Sequence, residues 1–109
     1  MFAQPRESWE NAPMRPSEAL EAFREKVIGL ATARGARSVR VFGSAAKGLD
    51  REGSDLDLLV DLPPGTSLLG IIGLQLEIED ALGVKVDWCT ERELHPALKD
   101  RILAEARPL

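Results

Sequence analysis

Apolar and polar residues follow helical and extended periods in turn along this chain. After Ser17, apolar residues recur at spacings of three and four up to Gly35, which predicts a helix with the serine as N-cap and the glycine just beyond its end. Residues 38–42 alternate and are rich in β-forming side chains, so they predict a strand. Prolines and polar residues dominate residues 1–16, which predicts a flexible N-terminal tail before a domain over residues 17–109.

The second half of the chain predicts two further strands around an apolar helix. The strand patterns cover residues 55–61 and 84–89. Between them, residues 68–82 are apolar almost all round, which predicts a mostly buried helix with Ser67 as N-cap and Gly83 at its end.

A final helix is predicted near the C-terminus. Thr90 and Glu93 have the spacing of a capping box, and Pro96 suits the first turn of a helix. The side chains expected to face the core are Leu98, Ile102, Leu103 and Ala106. Strands separated by helices in one small domain predict an α/β (α+β) fold, in which helices cover a small mixed β-sheet of about three to four strands.

Composition narrows the class of protein. The chain has 109 residues, enough for one domain, and its 44% hydrophobic and 29% charged residues are typical of a globular protein. The net charge of −4 argues against direct binding to nucleic acid by bulk electrostatics. One cysteine excludes a disulfide framework, and neither a long apolar run nor a secretory leader pattern is present, so we expect a cytoplasmic protein with no membrane partner. A homo-oligomer stays an open alternative.

The candidate chemistry centres on acidic residues of two predicted strands. Asp55 and Asp57 are two residues apart, so both carboxylates point to the same face of their strand. Carboxylates about 5 Å apart repel by something on the order of 3 kcal/mol at an effective dielectric of about 20, so the pair requires a cation, and hard oxygen ligands favour Mg²⁺ or Mn²⁺. If the third predicted strand lies beside the second, Asp87 joins them, and three carboxylates can hold two metal ions for a phosphoryl transfer.

The bend after the first predicted strand provides a matching phosphate site. Gly43 lets the backbone approach a ligand closely, and a Gly-Ser turn that opens into a short helix exposes N–H groups to phosphate oxygens. The hydroxyl of Ser44 adds a donor, and the ammonium of Lys47 can contact the outer phosphates as a point charge. These three are the candidate phosphate-binding residues.

Simpler explanations compete for several of these residues. Taken alone, the pair of aspartates also suits a solvated strand edge. An EF-hand is excluded because counting from Asp50 places Asp55 where that loop needs glycine, and a P-loop is excluded because the Gly-Lys-Ser/Thr sequence is missing. Structural roles are the favoured interpretation for Asp61 at the strand exit, for Cys89 as a small hydrophobic residue and for His95 at a helix start.

The order of these residues resembles a known enzyme family. Gly-Ser, ten intervening residues and Asp-x-Asp on a strand, with a further Asp on a later strand, resemble the nucleotidyltransferase superfamily related to DNA polymerase beta. The chain is similar to its smallest members, the minimal nucleotidyltransferase (MNT) domains, which implies the nucleotidyltransferase fold. By this resemblance, Gly43 and Ser44 hold the nucleotide triphosphate. Asp55 and Asp57 ligate both metal ions, and Asp87 ligates one and helps to deprotonate the acceptor hydroxyl.

MNT domains are commonly the antitoxin half of HEPN/MNT toxin–antitoxin modules, and this implies a function. The resemblance implies Mg²⁺-dependent transfer of AMP from ATP to a tyrosine hydroxyl of a HEPN-type toxin. This chain contains no tyrosine, so an acceptor tyrosine must lie on another chain. The family usually carries an arginine where this chain has Lys47. Two alternatives stay open: a non-catalytic antitoxin that neutralises its toxin by direct binding, and a nucleotide-binding regulator.

Overall fold

A mixed sheet of four strands lies at the centre of this computed structural model, which describes residues 14–109. The strands are β1 (Ser38–Phe42), β2 (Leu56–Asp61), β3 (Val86–Cys89) and β4 (Arg107–Pro108). The helices are α1 (Pro16–Ala22), α2 (Arg24–Ala33), α3 (Gly43–Lys47), α4 (Leu68–Leu82) and α5 (Pro96–Glu105), with a short 3₁₀ turn at Glu91–Glu93. The predicted α/β fold with a small mixed sheet is confirmed, while most of the predicted tail over residues 1–16 lies outside the described residues.

The strand order in the sheet is β3-β2-β1-β4. β1 runs antiparallel to both β2 and β4, whereas β2 runs parallel to β3. Two parallel neighbours need a crossover between them, and α4 provides it. The two middle strands β1 and β2 therefore have hydrogen-bonded partners on both sides.

One face of the sheet forms the hydrophobic core. Leu56, Leu58 and Val60 alternate along β2, and each is at most 1% exposed. They belong to one cluster with buried residues of α2 and α4, namely Val27, Ala31, Leu74 and Ile78. Because side chains alternate across a strand, this packing directs Asp57 to the opposite face of the sheet.

The single helix predicted after Ser17 is two helices in the structure. α1 begins at Pro16 with Arg15 as N-cap, so the prediction of Ser17 as N-cap is wrong. Proline suits the first helical position because its φ angle is preset and its missing N–H would have no partner there. A break at Phe23, with φ −119° and ψ 25°, separates α1 from α2.

The other helix ends predicted from capping residues are confirmed. α2 ends before Gly35, whose N–H donates to the carbonyl of Thr32 at 2.9 Å. The hydroxyl of Ser67 accepts a hydrogen bond from Gly70 N at 3.0 Å, and α4 closes at Gly83. These contacts join residues a few positions apart, which is why sequence alone predicts them.

The prediction that α4 is mostly buried is wrong. Leu68, Leu69 and Leu76 are 69%, 82% and 58% exposed, whereas Leu74 and Ile78 are buried. The reason is that α4 packs on the sheet through one face, although its sequence is apolar on both. Neither α4 nor another helix within residues 14–109 has the length and apolar character to cross a membrane.

The C-terminal helix begins as predicted but packs less deeply. Thr90 N donates to Glu93 Oε1 at 2.9 Å in the predicted capping box, and α5 begins at Pro96 with His95 as its N-cap. Leu98, predicted to face the core, is 47% exposed, because α5 lies against α3 and not across the sheet. The other predicted core positions, Ile102, Leu103 and Ala106, are half-buried.

A buried carboxylate ties the start of α1 to the loop that leads into β2. Asp50 is 3% exposed, and its Oδ2 accepts a hydrogen bond from Ser17 N at 2.7 Å. Burial alone raises the pKa of Asp50, but the hydrogen bonds from Ser17 and the charge of Arg15 outweigh it and leave the pKa lowered. Nearby, Arg15 Nη1 donates to Gly48 O at 3.3 Å. The ionised carboxylate therefore anchors this loop to α1.

Removal of this carboxylate is expected to destabilise the fold. Asp50→Ala should lower the free energy of unfolding by about 1.5–3 kcal/mol, because a hydrogen bond between Ser17 N and a charged group is lost. Since the pKa of Asp50 is lowered, this contribution is complete above pH 3.8 and shrinks as the pH falls below that value. Urea unfolding at neutral pH and at about pH 3 measures both effects.

The control for this experiment is Asp100→Ala, at an exposed position of α5. It should change the free energy of unfolding by no more than about 0.5 kcal/mol. Equal stability of the Asp50 and Asp100 variants at neutral pH would contradict the anchor.

Candidate active site

The end of β1 and the start of β2 bring a backbone bend against a carboxylate. Phe42, the last residue of β1, pairs with Asp57 in the antiparallel ladder. Gly43 follows with φ +72° and begins α3. A Cβ at this position would overlap Oδ2 of Asp57 and would lie 3.2 Å from its Cγ. Glycine is required here both for the positive φ and for the close approach of Asp57.

The parallel pairing of β2 with β3 places two aspartates side by side. Asp57 and Asp87 are partners in the register, and their neighbours Leu56 and Val86 are buried in the core. Asp57 is half-buried and Asp87 is exposed. Asp55 lies directly before β2 and is also exposed. The expected pairing of the second and third predicted strands is confirmed.

The three carboxylates interact electrostatically. Burial, followed by the negative charges of Asp87 and Asp55, raises the pKa of Asp57 to about 6. A carboxylate whose pKa rises for this reason is stabilised in its ionised form by a nearby cation. Carboxylate oxygens are the ligands that Mg²⁺ and Mn²⁺ prefer, so the donor chemistry fits such an ion.

The side chains are not yet arranged as a metal-binding group. Within residues 14–109, no set of three or more His, Cys, Asp or Glu stands close enough together to hold an ion. The register already fixes the backbones of Asp57 and Asp87 relative to each other, and the exposed Asp55 side chain can change rotamer. A closer approach of the three carboxylates would therefore require only side-chain rotation.

The predicted phosphate-binding residues lie on α3. This helix begins at Gly43 and ends at Lys47, with Ser44 half-buried in its first turn. The N–H groups of a first helical turn have no partner within the helix and suit an anion. Lys47 Nζ lies 3.1 Å from Oε2 of Glu105 on α5. The phosphate-binding role of Gly43, Ser44 and Lys47 stays a prediction.

An ion pair that sequence reasoning missed borders the acidic residues on the same face of the sheet. Arg40 pairs with Leu59, two positions from Asp57, and therefore shares its face. Arg40 Nη2 donates to Glu91 Oε2 at 2.7 Å. The alternation of β1, in which Val41 is buried, is the signal that could have placed Arg40 on this face, although not its partner.

Three other polar residues, for which the sequence favours structural roles, have the following surroundings. Burial and the acidic residues around it raise the pKa of Cys89 to about 11, so the thiol stays protonated at neutral pH. Asp61, at the far end of β2, accepts a hydrogen bond from Arg37 Nη2 at 3.0 Å. His95 Nδ1 accepts a hydrogen bond from Ala97 N at 3.1 Å at the start of α5.

Comparison with known proteins identifies the family. The family model described as "Nucleotidyltransferase domain" matches residues 17–109 of this chain. A Methanocaldococcus jannaschii protein named "Putative protein adenylyltransferase MJ0435" is 40% identical over 87 residues, which cover 80% of this chain and 94% of that protein. A solved structure described as a "putative minimal nucleotidyltransferase" is 50% identical, with a TM-score of 0.77, over 85% of this chain and 95% of its own. A toxin–antitoxin complex solved with AMP-PNP, 21% identical, shares the fold with a TM-score of 0.66 over 77% of this chain and 69% of its own.

Substitution of Gly43 tests its contact with Asp57. Gly48 has the same φ of +72°, but a Cβ there meets nothing within 4 Å, so Gly48→Ala is a matched control. Both substitutions cost about 1–2 kcal/mol for an alanine in the left-handed region. Gly43→Ala should cost about 1–3 kcal/mol more, because the side chain of Asp57 has to rotate away. Denaturant unfolding measures the difference, and equal losses would contradict the contact.

The raised pKa of Asp57 predicts a pH-dependent stability in the presence of EDTA. A carboxyl group whose pKa rises from 3.8 to about 6 on folding makes the folded state less stable as the pH rises through that interval. We expect Asp57→Asn to melt at a higher temperature than the wild type above about pH 6 and to lose this advantage near about pH 4.

Thermal melts of both proteins at these two pH values measure the effect. Asp61→Asn, on the same strand, is the control and should gain no such advantage, because Asp61 is paired with Arg37. A stabilisation of equal size at both pH values would show that the charge of Asp57 is not its cause.

Proposed function

The chain belongs to the nucleotidyltransferase domain family, among its minimal members, and we propose that it transfers AMP from ATP to a hydroxyl group of a partner protein. The name of the M. jannaschii relative supports a protein as acceptor. The chain has no tyrosine of its own, so a tyrosine acceptor lies on the partner. We assign the partner as a HEPN-type toxin, which makes this chain the antitoxin of the pair. The likeness in fold to a toxin–antitoxin complex with AMP-PNP is consistent with this assignment.

The pairing of Asp57 with Asp87 beside the Gly43 bend carries this proposal. The register places the two carboxylates on adjacent strands, and the contact of Asp57 with Gly43 places them next to the first turn of α3. Nucleotide transfer needs acidic ligands for a cation directly beside a group that binds phosphate. Asp57 lies where these two requirements meet.

The first turn of α3 is the proposed site for the triphosphate of ATP. Backbone N–H groups at Gly43 and Ser44 act as donors, and the serine hydroxyl adds another. Lys47 lies one helical turn after Gly43 on the same side of α3, so its ammonium can reach the outer phosphates. In this proposal the α-phosphate lies toward the carboxylate of Asp57.

The aspartates are the proposed metal ligands and include the general base. Asp55, Asp57 and Asp87 would hold two Mg²⁺ ions, or Mn²⁺ instead, and bound metal would neutralise the charge that develops on the phosphates. Asp87 is exposed and can accept the proton of the incoming hydroxyl. The acceptor oxygen forms a bond to the α-phosphorus, the bond from that phosphorus to the bridging oxygen breaks, and pyrophosphate leaves.

Neutralisation by binding alone is the second candidate function. The exposed apolar side chains of α4 could lie against a toxin without any transfer of AMP; they are Leu68, Leu69, Ile72 and Leu76. Loss of the aspartates would then leave neutralisation intact. A nucleotide-binding regulator is a further alternative, and it would bind ATP with Mg²⁺ without transferring AMP.

Transfer of label from α-labelled ATP tests the proposed activity. The protein is mixed with Mg²⁺, labelled ATP and the toxin encoded beside it, and labelled toxin is followed over time. We expect Asp55→Asn combined with Asp57→Asn to slow labelling at least about 100-fold, because the cation loses its ligands. Asp61→Asn, on the same strand and face as Asp57, is the matched control and should keep the wild-type rate.

The outcomes separate the three candidates. Equal labelling by the wild type and the double variant would contradict the assigned aspartates. Neutralisation of the toxin by the double variant at the same stoichiometry would favour binding alone. ATP with Mg²⁺ should raise the melting temperature of the wild type, since a ligand of the native state stabilises it. Such a rise without any transfer would favour the regulator.

A further inference from the structure

One ion pair joins α3 to α5, and a second ion pair, within α5, shares its carboxylate. Glu105 Oε2 lies 3.1 Å from Lys47 Nζ, and 3.8 Å from Nε of Arg101, one turn earlier on α5. The side chains of Lys47 and Glu105 are 40% and 31% exposed, so solvent and solutes reach the pair. The ammonium that the proposed function assigns to the triphosphate therefore already has an anionic partner within the chain.

The backbones of Glu105 and Lys47 are both fixed at the ends of helices. Glu105 is the last residue of α5 and lies two residues before Arg107, which pairs with β1 in β4. Lys47 ends α3 just before Gly48, which has a left-handed C-cap conformation. A long lysine side chain has many rotamers and loses entropy when it is held in one of them. The Lys47 side chain can therefore leave Glu105 and bind another anion without movement of α5.

We propose that Glu105 sets the affinity of the triphosphate site, because it holds Lys47 in the nucleotide-free protein and gives it up to the phosphates when ATP binds. This inference rests on the proposed function, since it requires that Lys47 bind phosphate. Arg101 eases the exchange, because it remains beside Glu105 after Lys47 has left. Glu105 and Arg101 are thus positioning residues that act through Lys47.

Because Lys47 and Glu105 are partly exposed, their ion pair should have a small effect on triphosphate binding. Ion pairs at a protein surface contribute little, so competition by Glu105 should weaken triphosphate binding about two- to fivefold. It should raise the KM for ATP by the same factor and leave kcat unchanged, because Glu105 affects the bound substrate and the transition state equally. High salt screens the ion pair and should reduce the difference in triphosphate affinity between the wild type and a variant without the Glu105 charge.

Calorimetric titration with inorganic tripolyphosphate and with ATP, each in the presence of Mg²⁺, tests this inference. Glu105→Gln should bind both about two- to fivefold more tightly than the wild type. Asp100→Asn changes the net charge equally on the same helix and is the matched control, with unchanged binding. Arg101→Gln should bind both ligands more weakly than the wild type, and more weakly than Lys99→Gln, which removes the same charge elsewhere on α5.

A double variant shows whether Lys47 carries the effect. In the Lys47→Ala background, Glu105→Gln should leave the affinity for both ligands unchanged. If Glu105→Gln increases the affinity as much in this background as it does alone, a long-range charge effect explains the increase and the inference is overturned. Unchanged binding by Glu105→Gln alone would also overturn it, while the proposed function would stand. A wild type that binds neither ligand would overturn the proposed function, and this inference with it.

Discussion

The contact between the carboxylate of Asp57 and the backbone of Gly43 is the constraint on which the candidate site depends. It joins the antiparallel ladder of β1 and β2, which sets Phe42 opposite Asp57, to the parallel ladder of β2 and β3, which sets Asp87 beside it. A larger residue at Gly43 would overlap Asp57. A side chain at position 43 would therefore displace the carboxylate of Asp57 from its place beside Asp87.

The hydrophobic core enforces this arrangement from the other face of the sheet. Leu56 and Leu58 flank Asp57 on β2 and are fully buried. A slip of one residue in either ladder would turn Asp57 into the core and these leucines toward solvent, so the register is strongly specified. The raised pKa of Asp57 is the cost of this placement, since burial and two neighbouring carboxylates act against its charge. The core thus stabilises a group of carboxylates that would separate in a less constrained chain.

The sequence predicted the features that depend on residues close together in the chain or on the alternation of side chains between the two faces of a strand. The cap at Ser67 and the pairing of Thr90 with Glu93 involve residues three apart, and the shared face of Asp57 and Asp87 needs only two strands in the correct alternation. The exposure of Leu69 could not be predicted from the pattern of α4. An apolar pattern shows that a helix face is hydrophobic, but it does not show whether another element covers that face.

Ion pairs between distant residues lie beyond such local signals. Arg40 and Glu91 are 51 positions apart, and Lys47 meets Glu105 only because β4 brings the end of α5 back to β1. In both pairs a basic side chain is neutralised by a glutamate from the C-terminal part of the chain. The free site is therefore dominated by the negative charge of its aspartates. Such a field repels a bare polyphosphate and favours one that arrives with its cation, which agrees with ATP and Mg²⁺ entering the proposed site together.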